Sequence, residues 1–300
     1  FLTAFAIFLA GHRPNLRDAL TVIGGVILLA LVGALTPAVS GGERPEIVLA
    51  SGFDLYLKLE PLGLLFAIVA SSLWIVTGFY AFGYMRAHGE GHQTRFFACF
   101  AIAIGAAMGV ATAGNLITLF AFYEMLTLST YPLVTHHGTV EARKAGRVYL
   151  GILLTTSIGL LLPAIIGTYV IAGTLEFRDG GILAGKTSSA VVCALMLLYA
   201  FGIGKAALMP IHRWLPAAMV APTPVSALLH AVAVVKAGVF SVLKIAVYVF
   251  GTDLLRDTGA SLVPMYLAAI TIVTASLIAL TKDNLKARLA YSTISQLSYI

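Results

Sequence analysis

Repeated apolar runs about as long as a bilayer is thick restrict this chain more than any other feature. A membrane-spanning helix needs about 20 largely apolar residues. Charged residues make up 11% of the 300 residues, against about 25% in ordinary soluble domains. We therefore predict an all-α, polytopic membrane protein with about ten spans, two of them partial: 1–10, 19–39, 61–83, 96–113, 115–135, 148–172, 190–209, 224–250, 262–281 and 287–300.

The connections between these runs are short, and none has the length or composition of a soluble domain. We therefore expect a single transmembrane domain over residues 1–300. The chain begins at Phe1 rather than at a methionine, and it stops at Ile300 inside an apolar run. For that reason we expect it to be a piece of a longer protein.

Basic residues divide unequally between the two alternating sets of loops. Because cytoplasmic loops carry an excess of lysine and arginine, the richer set should be cytoplasmic. The net charge of +6 is then explained by loops that face an anionic leaflet and not by nucleic-acid binding. The richer set holds Arg13, Arg17, Arg86, Arg95, Arg143, Lys144, Arg147, Arg213, Lys282, Lys286 and Arg288, and the poorer set holds Arg44, Lys58, Arg178, Lys186 and Arg256.

Three of the spans carry an ionisable side chain inside the apolar run. Glu124 lies about halfway along its span, Lys205 lies near the end of another, and Lys236 lies well past Pro224 in a third. An ionisable group at that depth costs on the order of 3 kcal/mol and usually marks a charge or proton route. We interpret all three as candidate proton-relay residues. The alternatives are a structural ion pair or, for Lys205, a side chain that reaches the membrane surface.

Two histidines near these lysines are further candidates. His230 precedes Lys236 by six residues, and His212 lies in a proline-rich connection between two spans. Broken backbone at bilayer depth is tolerated where protein or a water-filled cavity satisfies it. We therefore include His230 in the relay and treat His212 as an accessory candidate. We expect Lys244 to extend its amine to the non-cytoplasmic membrane surface, and we expect His136, at a span end, to be solvated.

The sequence has no pattern that indicates a metal, a cofactor or a catalytic site. No group of cysteine, histidine and acidic residues has the spacing of metal ligands, and no glycine-rich loop is suited to a phosphate. No nucleophile with a neighbouring base is evident either. We expect no cofactor, and we expect Cys99 and Cys193 to be reduced, buried thiols.

Four stretches carry polar residues in a distinctive order. They are GNLITLFAFYEMLTLS from Gly114, GKAALMPIHRWLPAAM from Gly204, APTPVSALLHAVAVVKAGVF from Ala221 and KDNLKARLAYSTISQLSYI from Lys282. Together they resemble the antiporter-like membrane subunits shared by respiratory complex I and the multisubunit Mrp-type cation/proton antiporters. The resemblance implies a fold of about fourteen helices, with inverted repeats and a broken seventh helix, of which this chain would cover roughly the first ten.

The resemblance also implies boundaries within the chain. Residues 1–114 would be N-terminal spans, residues 115–250 the first ion-translocating bundle, and residues 251–300 the start of a second bundle. Glu124 and Lys205 would form an ion pair whose opening and closing drives proton transfer. His230 and Lys236 would pass the proton towards the middle of the membrane. One departure is the alanine that follows Pro216, where many members have aspartate.

Lys236 also bears on the choice between functions. A lysine at this place is closer to the large Mrp-type subunits and related hydrogenase-type subunits than to the complex I subunit that lacks it. The sequence therefore favours exchange of a monovalent cation such as Na⁺ for H⁺, in the cell membrane of a bacterium and together with other membrane subunits. The alternatives are a proton-pumping subunit of an NADH–quinone oxidoreductase or membrane-bound hydrogenase, a proton-coupled partner of an inorganic-carbon uptake subunit, and a scaffold with structural charges.

Overall fold

The computed structural model describes the backbone of residues 1–300 and every side chain except that of Ser51. Helices make up most of the chain, as predicted. The helices are α1 (Leu2–Leu9), α2 (Pro14–Ser40), α3 (Pro61–Ala87), α4 (Gln93–Ala111), α5 (Leu116–Val134), α6 (Val140–Thr156), α7 (Leu162–Ala172), α8 (Ser189–Gly202), α9 (Trp214–Ala217), α10 (Thr223–Ala227), α11 (Val234–Ile245), α12 (Thr252–Thr258), α13 (Leu262–Leu280) and α14 (Leu285–Leu297).

The predicted number of about ten spans is not confirmed. In the described chain, seven helical segments are long and apolar enough to cross a membrane, counting α6–α7 and α10–α11 each as one continuous segment. The other three predicted spans, 1–10, 190–209 and 287–300, correspond to the shorter helices α1, α8 and α14. Composition alone does not show where a helix ends, because the 190–209 run stays apolar beyond the end of α8.

Burial separates the helices at the centre from those at the periphery. In the segment Thr223–Phe250, 72% of the apolar window is buried, whereas the figures for α2 and α13 are 17% and 11%. The outer faces of α2 and α13 carry large exposed apolar side chains such as Ile27 and Ile270. Large exposed apolar patches are unusual on soluble proteins and suit contact with lipid. The segment that contains Lys236 therefore lies at the centre of the bundle.

Irregular turns interrupt two of the long segments. Residues Ser157–Leu161 form a π-helical turn between α6 and α7. Leu228–Val232 form another between α10 and α11, and Ala246–Phe250 a third at the end of α11. Such turns are rare and occur frequently at functional sites. Two of them flank the helix that carries Lys236.

A two-stranded antiparallel hairpin of β1 (Glu46–Ala50) and β2 (Leu55–Lys58) covers the end of α4 and the start of α5. The amide of Lys58 donates to the Thr112 carbonyl at 2.6 Å, and the Gly114 amide donates to the Tyr56 carbonyl at 3.1 Å. These two bonds attach the hairpin to the short connection between α4 and α5. The hairpin thereby fixes the start of α3 beside that connection.

Candidate functional site

A break in the helical chain after α8 positions Lys205. Residues Gly204–Ala206 form a single 3₁₀ turn. Only glycine fits at Gly204, because a Cβ there would lie 2.4 Å from Thr156 Oγ1 on α6. Ala207, the residue after this turn, has a φ of 57°, in the left-handed region that few residues other than glycine adopt. Lys205 therefore sits on a tight turn packed against α6.

The Lys205 side chain is completely buried, with 0% of its surface exposed. Its ammonium donates to the Tyr123 carbonyl at 2.8 Å and to Thr127 Oγ1 at 2.5 Å. Nζ also lies 3.1 Å from the centre of the Tyr123 ring, and the Lys205 amide donates to the Tyr123 hydroxyl at 3.1 Å. These contacts exclude the interpretation in which Lys205 reaches the membrane surface.

Glu124 follows Tyr123 on α5 and has a carboxylate that the surrounding protein leaves unsatisfied. Both oxygens are buried, and neither has a hydrogen-bond partner among the described residues. Glu124 is next in the chain to Tyr123, whose carbonyl accepts from the Lys205 ammonium, yet within the described chain the Glu124 and Lys205 side chains form no ion pair. In this structure the ammonium is therefore held by Tyr123 and Thr127 and not by Glu124.

Around Lys205 and Glu124, aromatic side chains connect α5, α6 and the broken segment. The hydroxyls of Tyr149 and Thr130 are 2.6 Å apart, so one donates to the other. The Tyr149 ring meets the Trp214 ring edge to face, with centroids 5.5 Å apart, and Trp214 Nε1 donates to the Gly204 carbonyl at 2.9 Å. The turn that carries Lys205 is thus fixed from two sides.

The helix that carries Lys236 contacts the Lys205 turn, but its lysine side chain points elsewhere. A Cβ at Gly238 would lie 2.4 Å from the Ala206 nitrogen. At 3.6 residues per turn, Lys236 lies about 160° around α11 from Gly238. It is half-buried and makes no ion pair with any residue the structure describes. His230, in the π turn before α11, has two buried ring nitrogens that lack partners in the same described part.

His212 lies in the 3₁₀ turn Ile211–Arg213 of the broken segment. Its ring is 5.9 Å from the ring of Tyr291 on α14. Its Nδ1 is buried and finds no hydrogen-bond partner among the side chains and backbone described. The His212 ring therefore lies where the broken segment packs against α14, in a different environment from the Lys205 turn.

The prediction for Lys244 is wrong. Instead of reaching the membrane surface, its side chain is 0% exposed and pairs with Glu60, with Nζ 3.1 Å from Oε2. Its ammonium also donates to the Ala113 carbonyl at 2.7 Å, and the rings of Phe177 and Phe240 lie 4.6 and 5.8 Å away. The sequence places Lys244 near the end of its helix, but it does not show which face of the helix this lysine occupies.

His136, just past the C-terminal end of α5, is also buried and not solvated as expected. Its Nε2 lies 3.7 Å from Glu90 Oε2, its ring packs on Phe96, and Arg95 donates to its carbonyl at 3.3 Å. Burial lowers the pKa of His136 from its ordinary 6.5, and the Glu90 carboxylate opposes this shift only in part. The ring is therefore neutral near pH 7.

Sequence reasoning missed the partners of the two buried lysines. Thr127 lies four residues after Tyr123 on α5, and that spacing indicates that the two side chains lie on the same face of the helix. Glu60 stands directly before Pro61 at the start of α3, where an acidic residue is favoured by the helix dipole. Neither signal identifies a lysine partner, because the contacts join distant parts of the chain. Among the described residues, no group of three or more histidine, cysteine or acidic side chains is arranged to hold a metal.

The sequence comparisons with known proteins agree with one another on the kind of protein that this chain resembles. A family model described as NADH:quinone oxidoreductase/Mrp antiporter, transmembrane, matches residues 113–300. The chain is 32% identical over 308 residues to the chloroplast NAD(P)H-quinone oxidoreductase subunit 5 of Zygnema circumcarinatum. It is 33% identical over 298 residues to the A/B subunit of a probable K⁺/H⁺ antiporter of Rhizobium meliloti. These alignments cover 97% and 95% of this chain but only 43% and 29% of the relatives, so it spans less than half of their length.

Two solved structures share the fold. An archaeal membrane-bound sulfane sulfur reductase complex contains a chain that superposes with a TM-score of 0.85 at 24% identity, covering 99% of this chain and 61% of that one. A chain of the Mrp complex from Dietzia sp. superposes with a TM-score of 0.83 at 23% identity, with coverage of 99% and 55%. At this level of identity the likeness concerns the fold alone.

Proposed function

The chain belongs to the NADH:quinone oxidoreductase/Mrp antiporter transmembrane family, and we propose that it carries protons through the membrane part of a multisubunit complex. The coupled reaction we favour is exchange of a monovalent cation, Na⁺ or K⁺, for H⁺. Lys236 supports this choice, since a lysine there resembles the large Mrp-type subunits. The runner-up is a proton-pumping role in a quinone-reducing complex, which the name of the Zygnema relative favours.

The observation that carries the proposal is that a fully buried ammonium and a carboxylate without hydrogen-bond partners lie in the same part of the bundle without forming an ion pair. Lys205 is 0% exposed. Glu124 follows Tyr123 on α5, and both of its carboxylate oxygens are buried without partners among the described residues. An unmet buried charge costs about 1–3 kcal/mol or more. Buried polar groups are mostly hydrogen-bonded, and a catalytic role is one of the recognised reasons for an exception.

The contacts of Lys205 suggest how a proton moves. In this structure the ammonium is bound by Tyr123 and Thr127, and in the proposed cycle it would also occupy a second position against the Glu124 carboxylate. Moving to Glu124 would favour the charged amine, and moving away would favour release of its proton. Lys236 would accept the proton through buried water, with His230, six residues earlier, as a further relay group. His212 would serve as an accessory group.

The same proposal assigns parts of the chain and its surroundings. Residues 115–250 would form the ion-translocating bundle, with 1–114 as supporting spans and 251–300 as the start of a second bundle. The partners would be other membrane subunits of the same complex. The membrane would be the inner membrane of a bacterial cell, with the loops richer in lysine and arginine on the cytoplasmic side.

The test uses the full-length protein in its complex, in everted membrane vesicles from cells that lack the chromosomal copy. A pH gradient is imposed, and the fluorescence of a pH-sensitive dye is followed after NaCl, KCl or NADH is added. We expect the wild type to release protons on addition of Na⁺ or K⁺. Lys205→Met and Glu124→Gln should each abolish that release while assembly of the complex stays normal.

The control is Lys186→Met, which removes an exposed lysine that donates to the Ala172 carbonyl. This variant should transport as the wild type does. Proton uptake driven by NADH, with no response to either cation, would select the quinone-reducing alternative. Transport at the wild-type rate in Lys205→Met would refute the relay itself.

A further inference from the structure

A second buried charge pair lies near the non-cytoplasmic end of the same central helix. Lys244 follows Lys236 by eight residues on α11, about 12 Å along the axis. Its ammonium faces the Glu60 carboxylate at 3.1 Å, and the two side chains are 0% and 5% exposed. Both side chains are therefore buried. Glu60 lies two residues after the half-buried strand β2 of the hairpin.

The pair is not satisfied in the way that a structural ion pair usually is. Lys244 has one further bond, to the Ala113 carbonyl at 2.7 Å. Apart from the Lys244 ammonium, Glu60 Oε2 has no partner among the described residues. A buried ion pair offsets its desolvation only if other hydrogen bonds fill the remaining positions, and replacing such a pair by hydrophobic residues of similar volume is often neutral or stabilising.

The groups that surround the pair fit an exchange of protons with the surface. Lys58, at the end of β2, lies two residues before Glu60. The amide of Arg178, next to Asp179 in the loop before α8, donates to the carbonyl of Tyr248, one turn past Lys244, at 3.3 Å. The rings of Phe177 and Phe240 lie 4.6 and 5.8 Å from the ammonium. The pair is therefore bordered both by aromatic rings and by polar residues of the hairpin and of the loop before α8.

We propose that Glu60 and Lys244 form a second proton-transfer site, which exchanges protons between the route through Lys236 and the non-cytoplasmic surface. In the transfer step, the N–H bond of the Lys244 ammonium breaks and an O–H bond forms on Glu60, which leaves a neutral amine and a neutral carboxyl. Glu60 then releases its proton to surface water, and the amine takes the next proton from the interior. The proposal rests on the proton transport proposed above.

The experiment compares two ways of removing the charges, in the full-length protein within its complex and in the same vesicles. Glu60→Gln alone leaves a buried ammonium without a counter-charge, so the amount of assembled protein should fall. The double variant Glu60→Gln with Lys244→Met leaves no buried charge, so assembly should return. Proton release per assembled complex should nevertheless stay about 100-fold below the wild type, the lower end for loss of a positioned proton-transfer group.

Wild-type transport in the double variant would overturn the proposal, because the pair would then be structural. If the double variant does not assemble, the matched variants Glu60→Asp and Glu60→Asn decide, since they share a shape and differ in the proton site. Glu60→Asp should transport and Glu60→Asn should not, and equal rates per assembled complex would refute the site. Failure of the proposed function is distinguishable, because then neither the wild type nor Lys205→Met would respond to a cation.

Discussion

The contact between α11 and the Lys205 turn offers the sharpest test of the site. A Cβ at Gly238 would lie 2.4 Å from the Ala206 nitrogen and 2.4 Å from the Lys205 carbonyl carbon. Ordinary contacts of a Cβ begin at 3.4 Å. The obstacles are backbone atoms, which have no rotamer to change. In Gly238→Ala the helix and the turn must therefore separate by about 1 Å.

The structure separates the effect on stability from the effect on transport. Overpacking costs about 1–3 kcal/mol, and alanine is favoured over glycine inside a helix by about 1 kcal/mol. The net loss of stability in Gly238→Ala should therefore be about 0–2 kcal/mol. A displacement of about 1 Å at a reacting group can cost about 100-fold in rate. We expect near-normal assembly and a fall of that size in transport.

The assay measures cation-driven proton release in everted vesicles, divided by the amount of assembled complex, together with the melting temperature of the solubilised complex. Gly151→Ala on α6 is the matched control, because a Cβ there meets nothing within 4 Å, and it should change neither quantity for the worse. A wild-type rate in Gly238→Ala, at a wild-type melting temperature, would show that α11 does not hold the Lys205 turn in place.

Three further predictions concern other parts of the chain. Lys236→Ala should abolish transport and leave assembly intact, and cation-driven release at the wild-type rate would exclude Lys236 from the relay. Because burial lowers the pKa of His136 from 6.5, the unfolded chain binds a proton that the folded chain does not as the pH falls below 6.5. Thermal stability should therefore be full above that pH and decline below it, and a titration of the melting temperature should show a flatter profile in His136→Gln. Asn115→Ala removes the side-chain cap that accepts from the Thr118 amide at 2.7 Å and the hydrogen bond that Nδ2 donates to the Asp54 carbonyl at 2.6 Å. It should therefore cost more than the roughly 1 kcal/mol of a cap alone, measured by chemical unfolding in detergent, and an unchanged midpoint would mean that neither contact stabilises the fold.

Much of the fold follows from the sequence because the bilayer imposes a length and a polarity on every span. Apolar runs predicted the seven long helices, and the prolines and glycines of 202–224 predicted the broken segment. The same rule singled out Glu124, Lys205 and Lys236, since charge at that depth is costly wherever the helices lie. The extent of each helix was less accessible, because α8 ends inside an apolar run.

The sequence by itself determined the class of protein, the apolar spans and the residues whose charge requires an explanation. The tertiary structure alone decided which groups meet those charges: Tyr123 and Thr127 for Lys205, and Glu60 for Lys244. The partners of Lys205 lie 82 and 78 positions away, and the 3.6-residue period relates residues only within one helix. The packing of the whole bundle decides which face of a helix contacts which neighbour. Because of that packing, Lys244 forms a buried ion pair with Glu60, although its position in the sequence predicted a side chain at the membrane surface.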